Sequence, residues 1–173
     1  EHDHYDRLNL IVFNNYSALF PDLGTTGYGA PLHYGYYKNT FSHNTLCVNG
    51  LNQPPALPRV LDYQQQEGES RLIAEVDWCS AAVLPDSKTR VEWDDESYRD
   101  IVFRRTVVVT ENLLIDKWDI ENPHYQCVDA VYHINADAAQ VAPGNDVRIC
   151  YPYVKQATEQ PLKGKTDIHY QAD

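Results

Sequence analysis

The sequence predicts an all-β chain folded as an antiparallel β-sandwich. Three observations point there: apolar residues recur with period two, turn dipeptides separate the apolar runs, and no window carries an amphipathic, capped helix. Leu8, Leu10 and Val12 alternate along the first run, and Asn14-Asn15 offers a turn before Ala18-Leu19-Phe20, which reads as a hairpin. Gly24, Gly27, Gly29, Gly35 and Pro31 break up the next stretch, so 24–35 is expected to be a long loop of the kind that carries function. A short strand follows over 45–48, closed by Asn49-Gly50, a pair that tolerates positive φ. Pro54, Pro55 and Pro58 hold the following segment in extended coil. Further strands are expected over 71–76, 101–109, 113–120, 128–134 and 147–153, with Glu111-Asn112 as a tight hairpin turn. The segment 156–165 is polar and reads as an exposed loop.

At 173 residues the chain fits one domain, 1–173, and is long enough to bury a core without staples. It holds no Met and begins inside a motif, so the expectation is a piece of a longer protein. With 25 acids against 14 bases the formal net charge is −11, which disfavours nucleic-acid binding. The same charge repels a polyanionic glycan at long range, so such a substrate needs locally placed bases. No apolar run is long enough to span a membrane. Cys47, Cys79, Cys127 and Cys150 are widely spaced without a C-x-x-C, so buried free thiols are expected.

The chemistry-bearing residues cluster near the start. His2 and His4 share one face of an extended segment, with Asp3 and Tyr5 on the other. His4, Asp22 and His43 amount to two imidazoles and a carboxylate, a donor set suited to Zn²⁺; the alternative is that each histidine hydrogen-bonds within a cleft. His2 could move a proton near neutral pH. Tyr28, Tyr34, Tyr36 and Tyr37 are candidate proton donors or plain loop packing, and Tyr28 stands out because Gly27 and Gly29 let the backbone approach a ligand. Asp94-Asp95-Glu96 lacks the spacing of a calcium loop and reads as a solvated turn. Asp129 and His133, four apart on an expected strand, suit a buried structural hydrogen bond. No nucleophile elbow, P-loop or dinucleotide fingerprint occurs.

In matching order, His2-Asp3-His4-Tyr5-Asp6-Arg7-Leu8, Pro21-Asp22-Leu23-Gly24-Thr25, Tyr28-Gly29 and Tyr37-Lys38-Asn39-Thr40-Phe41-Ser42-His43-Asn44-Thr45 resemble the heparinase II/III-like polysaccharide lyases. Arg104-Arg105-Thr106 through Leu114-Ile115-Asp116, with Asp129 and His133, resemble weaker downstream parts of the same module. The resemblance implies the C-terminal half of an enzyme built from an α/α-toroid followed by a β-sandwich, bacterial, periplasmic or secreted. Its reaction is β-elimination on a uronate-containing glycan of the heparin, heparan sulfate or alginate type. By that resemblance His2 faces the uronate, and His4, Asp22 and His43 hold zinc. Tyr28 and Tyr34 stand beside the substrate in catalysis, and Arg7 and Lys38 are the cations at hand for binding it. Glu1 departs from an Asn found in some members, and a carboxylate there cannot donate a hydrogen bond unless protonated. The rival expectations are a non-catalytic carbohydrate-binding or structural sandwich with a stabilising metal, which calls for exposed Trp78, Trp93 or Trp118, and a cupin-like metal hydrolase, which calls for an open metal position.

Overall fold

The computed structural model describes residues 4–14, 16–79 and 93–135. All pairing among them is antiparallel, and the fold is an all-β sandwich. Among the described residues, eight strands make three sheets. β1 (Val12–Asn14) and β2 (Ser17–Phe20) form a hairpin, and β3 (Leu46–Val48) pairs with β8 (Val128–Ala130). β4 (Arg59–Gln66), β5 (Glu69–Asp77), β6 (Val102–Thr110) and β7 (Leu114–Glu121) form a four-stranded meander in sequence order.

The turns follow from the residues that close them. Asn49 and Gly50 both have positive φ, 53° and 70°, so the chain reverses directly after β3. Gly68, at φ 77°, does the same between β4 and β5, and Glu111-Asn112 closes β6 onto β7, with the Thr110 amide donating to Leu113 at 2.8 Å. The first hairpin is shorter than the alternation suggests. Leu8 adopts φ 58°, which no strand tolerates, so the chain stays irregular until Val12.

The core lies between the β3/β8 ribbon and the four-stranded sheet. Leu46 and Val48 meet Val76, Trp78, Tyr98, Ile101 and Phe103, with Trp118, Ile120 and Val128 packed around them. Tyr98 ends a short α-helix, α1 (Asp95–Tyr98), and its hydroxyl both donates to the Leu51 carbonyl at 2.9 Å and accepts from the Val48 amide at 3.0 Å. The acidic run 94–96 is therefore a helix start, with the Asp94 carboxylate capping the Ser97 amide at 2.6 Å.

Three expectations need correction. Residues 59–66 form β4, although almost every side chain there is exposed and the sequence shows no inward face. Its ladder to β5 is stitched by backbone bonds, and Glu75 takes Arg59 at 2.6 Å and Arg104 at 2.5 Å from the neighbouring strands. The eighth strand stops at Ala130 rather than continuing to 134. Cys47 is buried as expected, but Cys79 and Cys127 are exposed. The expected strand 147–153, the loop 156–165 and Cys150 lie outside the described residues.

A buried ion pair ties the sheet to the chain's first segment. Arg105, on β6, donates from Nε and Nη2 to the two carboxylate oxygens of Asp116, on β7, at 2.9 and 2.5 Å. Its Nη1 reaches the main-chain carbonyls of Leu8 at 2.6 Å and Asn44 at 2.7 Å. The Tyr132 hydroxyl adds a third bond to Asp116 at 2.6 Å, and the Trp118 ring lies 5.0 Å from the guanidinium carbon. Burial pushes the Asp116 carboxyl up, but the Arg105 guanidinium outweighs it and holds the group below its usual value. Arg105→Met strands that buried carboxylate and frees two carbonyls, so it is expected to cost about 3–5 kcal/mol in chemical denaturation, with partial recovery in the Arg105→Met/Asp116→Leu double variant.

Candidate functional site

Three irregular segments meet beside the β3/β8 ribbon: 4–10, 22–24 and 39–45. Their convergence is enforced by buried polar groups rather than by a sheet. The Tyr5 amide donates to the Lys38 carbonyl at 3.2 Å, and the Tyr5 carbonyl accepts from the Thr40 hydroxyl at 2.6 Å, which brings His4 alongside the segment that leads to His43. A single 3₁₀ turn (Thr40–Ser42) then delivers His43, with Ser42 Oγ bonded to the carbonyls of Asn39 at 2.8 Å and Tyr37 at 3.0 Å.

Asn9 and Asn44 join the pieces. The Asn9 side chain donates to Asp22 Oδ2 at 2.9 Å and accepts from the Asn44 amide at 2.9 Å. Asn44, wholly buried, donates from its side chain to the Pro21 carbonyl at 2.9 Å and accepts from the His133 amide at 2.6 Å. Gln53 accepts from the Arg7 amide at 2.7 Å, and Asn52 accepts from the Thr40 amide at 3.0 Å. Neither asparagine at 9 or 44, nor Asn52 or Gln53, has a role legible from spacing. Their signal is only retrospective, as polar residues set between buried positions.

Within this frame His4 Nδ1 lies 3.3 Å from His43 Nε2, and His43 Nδ1 lies 3.4 Å from Asp22 Oδ2. The second approach is not aligned for a hydrogen bond, so a nitrogen on a side chain only 1% exposed has no hydrogen-bond partner. Asp22 is anchored from the other side by the Gly24 amide at 2.7 Å, in a turn that needs the positive φ of Gly24, 73°. Chiefly through His43, the Asp22 carboxyl falls to about 2, while burial, reinforced by His43, lowers His4 below its ordinary 6.5. A carboxylate held ionised, an imidazole held neutral and an orphaned buried nitrogen suit a divalent cation such as Zn²⁺. Asp6, Asp22 and His43 each place one ligand atom within 4.8 Å of the others.

Asp22 and His43 also bracket the loop that carries the tyrosines. The loop is not wholly irregular: it ends in a π-helical turn (His33–Tyr37). Tyr36 and Tyr37 are buried against Leu23, whereas Tyr28 is 53% exposed and Tyr34 is half-buried. The rings of Tyr28 and Tyr34 both meet the His33 ring edge-on, at 4.6 and 4.5 Å. His33 is buried, and its Nδ1 sits 3.1 Å from the Thr26 carbonyl and 2.9 Å from the Thr25 hydroxyl. A carbonyl can only accept, so the proton resides on Nδ1. His33 is thus the hinge-pin of the tyrosine pair, a residue the sequence reading passed over.

The remaining candidates fall as follows. His2 lies outside the described residues. Arg7 donates from Nε to the Ala56 carbonyl at 2.8 Å and stands 3.6 Å from Asp6. Lys38 is buried, with Nζ 6.0 Å from the centre of the Tyr5 ring. His133 leaves the strand and turns its Nε2 to the Phe41 carbonyl at 2.9 Å, bracing the approach to His43.

Residues 1–137 match the family described as heparinase II/III-like, C-terminal. The chain belongs to that family. It is a family of polysaccharide lyases, and its description places the module on the C-terminal side of a larger enzyme. No curated protein matches the chain. Among the described residues of this family member, no helix is long and apolar enough to cross a membrane.

The depressed Asp22 carboxyl sets the sign of an acid effect. A group whose folded value lies below its ordinary 3.8 contributes stability that is present above 3.8 and is lost as pH falls through about 2. In metal-free protein the difference in Tm between the native chain and Asp22→Asn is therefore expected to narrow between pH 4 and 2, as thermal melts at stepped pH will show. Asn44→Ala removes two buried hydrogen bonds and should cost about 2–4 kcal/mol at neutral pH, measured by urea unfolding.

Proposed function

We propose that this chain forms one wall of a lyase active site that cleaves a uronate-containing glycan, of the heparin, heparan sulfate or alginate type, by β-elimination. The observation that carries this is the junction of His4, Asp22 and His43 with its orphaned nitrogen, placed where the tyrosine loop begins and ends. A Zn²⁺ ion on His4, Asp22 and His43 would pin that loop and hold Tyr28 and Tyr34 toward the cleft. Membership of a polysaccharide-lyase family supports the reaction class.

β-Elimination needs the uronate carboxylate neutralised, the C5 proton removed and the departing O4 protonated. By resemblance to the family, His2 is the imidazole proposed to meet the uronate. Tyr28, an exposed residue, and Tyr34, a half-buried one, can each hand over or take a proton through the phenol, and His33 sets the orientation of their rings. Lys38 acts on His4 through space, and Arg7 and Lys38 are the cations of this chain proposed to meet the bound carboxylate. Further cations for a polyanion would come from the preceding toroid domain, in a periplasmic or secreted enzyme. The binding-module alternative is less well served, because Trp78 is buried and neither Trp93 nor Trp118 is exposed.

Metal analysis of the purified chain is expected to find one zinc per molecule, lost in His43→Ala along with a raised susceptibility of the 24–41 loop to proteases. Assayed on alginate and heparan sulfate oligosaccharides, the chain alone is expected to form no unsaturated uronate, whereas the enzyme with its toroid forms it. Turnover by the isolated chain, or a zinc-free native chain that keeps its loop protected, would refute the reading.

A further inference from the structure

We infer that His33 is a proton relay between Tyr28 and Tyr34: its Nε2 accepts the proton that one phenol sheds and returns it to the other. This rests on the lyase reading above, in which those two tyrosines handle protons, and adds the residue that couples them. The rings of Tyr28 and Tyr34 meet the His33 imidazole at 4.6 and 4.5 Å, so one side chain touches both. It touches the tyrosines rather than the glycan, and is in that sense a positioning residue whose lone pair also moves a proton.

The surroundings of the imidazole select one tautomer. Nδ1 stands 3.1 Å from the Thr26 carbonyl and 2.9 Å from the Thr25 hydroxyl. That hydroxyl has its own acceptor, the same Thr26 carbonyl at 3.2 Å, so both oxygens beside Nδ1 are placed to accept from it. The proton stays on Nδ1 and the lone pair lies on Nε2. His33 is only 4% exposed, yet among the described residues the buried side-chain atoms left without a partner are His43 Nδ1 and Trp118 Nε1, so His33 Nε2 is not sealed from solvent.

A phenol of ordinary acidity holds its proton at neutral pH, so a tyrosine that takes the C5 proton must send its own elsewhere. A neutral imidazole is the side chain best matched to receive it. In the step, the C5–H bond breaks and its electron pair forms the C4=C5 double bond, while the C4–O4 bond breaks and its pair stays on O4. One phenol takes the C5 proton and gives its own to Nε2, directly or through one water. The other phenol gives its proton to O4 and takes the one held on Nε2. Every group ends as it began, and no co-reactant enters. The proton on Nδ1 stays on the Thr26 carbonyl throughout, which keeps the ring oriented during the transient imidazolium.

The test uses the enzyme with its toroid, assayed on alginate and heparan sulfate oligosaccharides. His33→Phe keeps a ring but no nitrogen, and His33→Asn keeps a donor where Nδ1 stands. Both are expected to lose kcat by at least about 100-fold, with KM within about threefold and with zinc content and protease protection of the 24–41 loop unchanged. Added imidazole is expected to restore part of the lost rate in His33→Ala, an effect that loop packing alone does not produce. Nitrogen NMR of the ring in the isolated chain is expected to place the proton on Nδ1, a readout independent of turnover and of the variants. Near-native kcat in His33→Asn, no rescue by imidazole, or a proton on Nε2 overturns the relay while the native enzyme still cleaves. A native enzyme that cleaves neither glycan overturns the lyase reading and the relay together.

Discussion

The guanidinium of Arg105 is the constraint on which the rest of the structure depends. It sits on the inner face of the meander, yet two of its four side-chain hydrogen bonds run outward to carbonyls of Leu8 and Asn44 in the irregular segments that build the site. Those carbonyls belong to backbone that no sheet satisfies, and Leu8 is in a left-handed conformation. A planar, permanently charged donor fork is the one side chain that can satisfy both and a carboxylate together. Asp116 and Tyr132 neutralise and orient it. The pair therefore acts less as a source of stability than as a peg that sets the register between scaffold and site.

Outward from that peg, rigidity passes through side-chain amides. Asn44 links Pro21, Asn9, Leu10 and His133; Asn9 passes the restraint to Asp22; Asn52 and Gln53 hold Thr40 and Arg7. Each is a small, directional group that mimics a backbone bond where no neighbouring strand exists. Fully satisfied networks of this kind specify one arrangement, because any alternative leaves buried polar atoms without partners. The contrast with His43 is informative. Among the described residues, its Nδ1 and the Nε1 of Trp118 are the buried side-chain atoms left without a hydrogen-bond partner, and only His43 Nδ1 stands beside a carboxylate of the candidate site, 3.4 Å from Asp22.

Much of the scaffold was legible in the residues themselves. Period-two runs at β5, β6 and β7 and the Asn49-Gly50 and Glu111-Asn112 turns encode local geometry, which depends on neighbours only weakly. β4 was invisible because an edge strand exposed on both faces has no inward pattern to display; its pairing with β5 makes it a strand. The π-helical turn was missed for a related reason. Glycines at 27, 29 and 35 signal a broken chain, but burial of His33, Tyr36 and Tyr37 is what winds the segment. Among four neighbouring tyrosines, residue type offers no distinction, and packing alone leaves Tyr28 and Tyr34 accessible while Tyr36 and Tyr37 face Leu23.

By itself the sequence determined the fold class, most strand positions among the described residues and the ordered motifs that mark the family, and it singled out His4, Asp22 and His43 as candidates. These rest on local period and on residue types in a set order, both written along the chain. Tertiary structure alone decided which atoms meet: that His43 stands between His4 and Asp22, that Asp6 joins them, that His33 carries the tyrosine pair, and that Arg105 reaches across to Leu8 and Asn44. Contacts between residues tens of positions apart depend on three-dimensional closure, which no local pattern encodes.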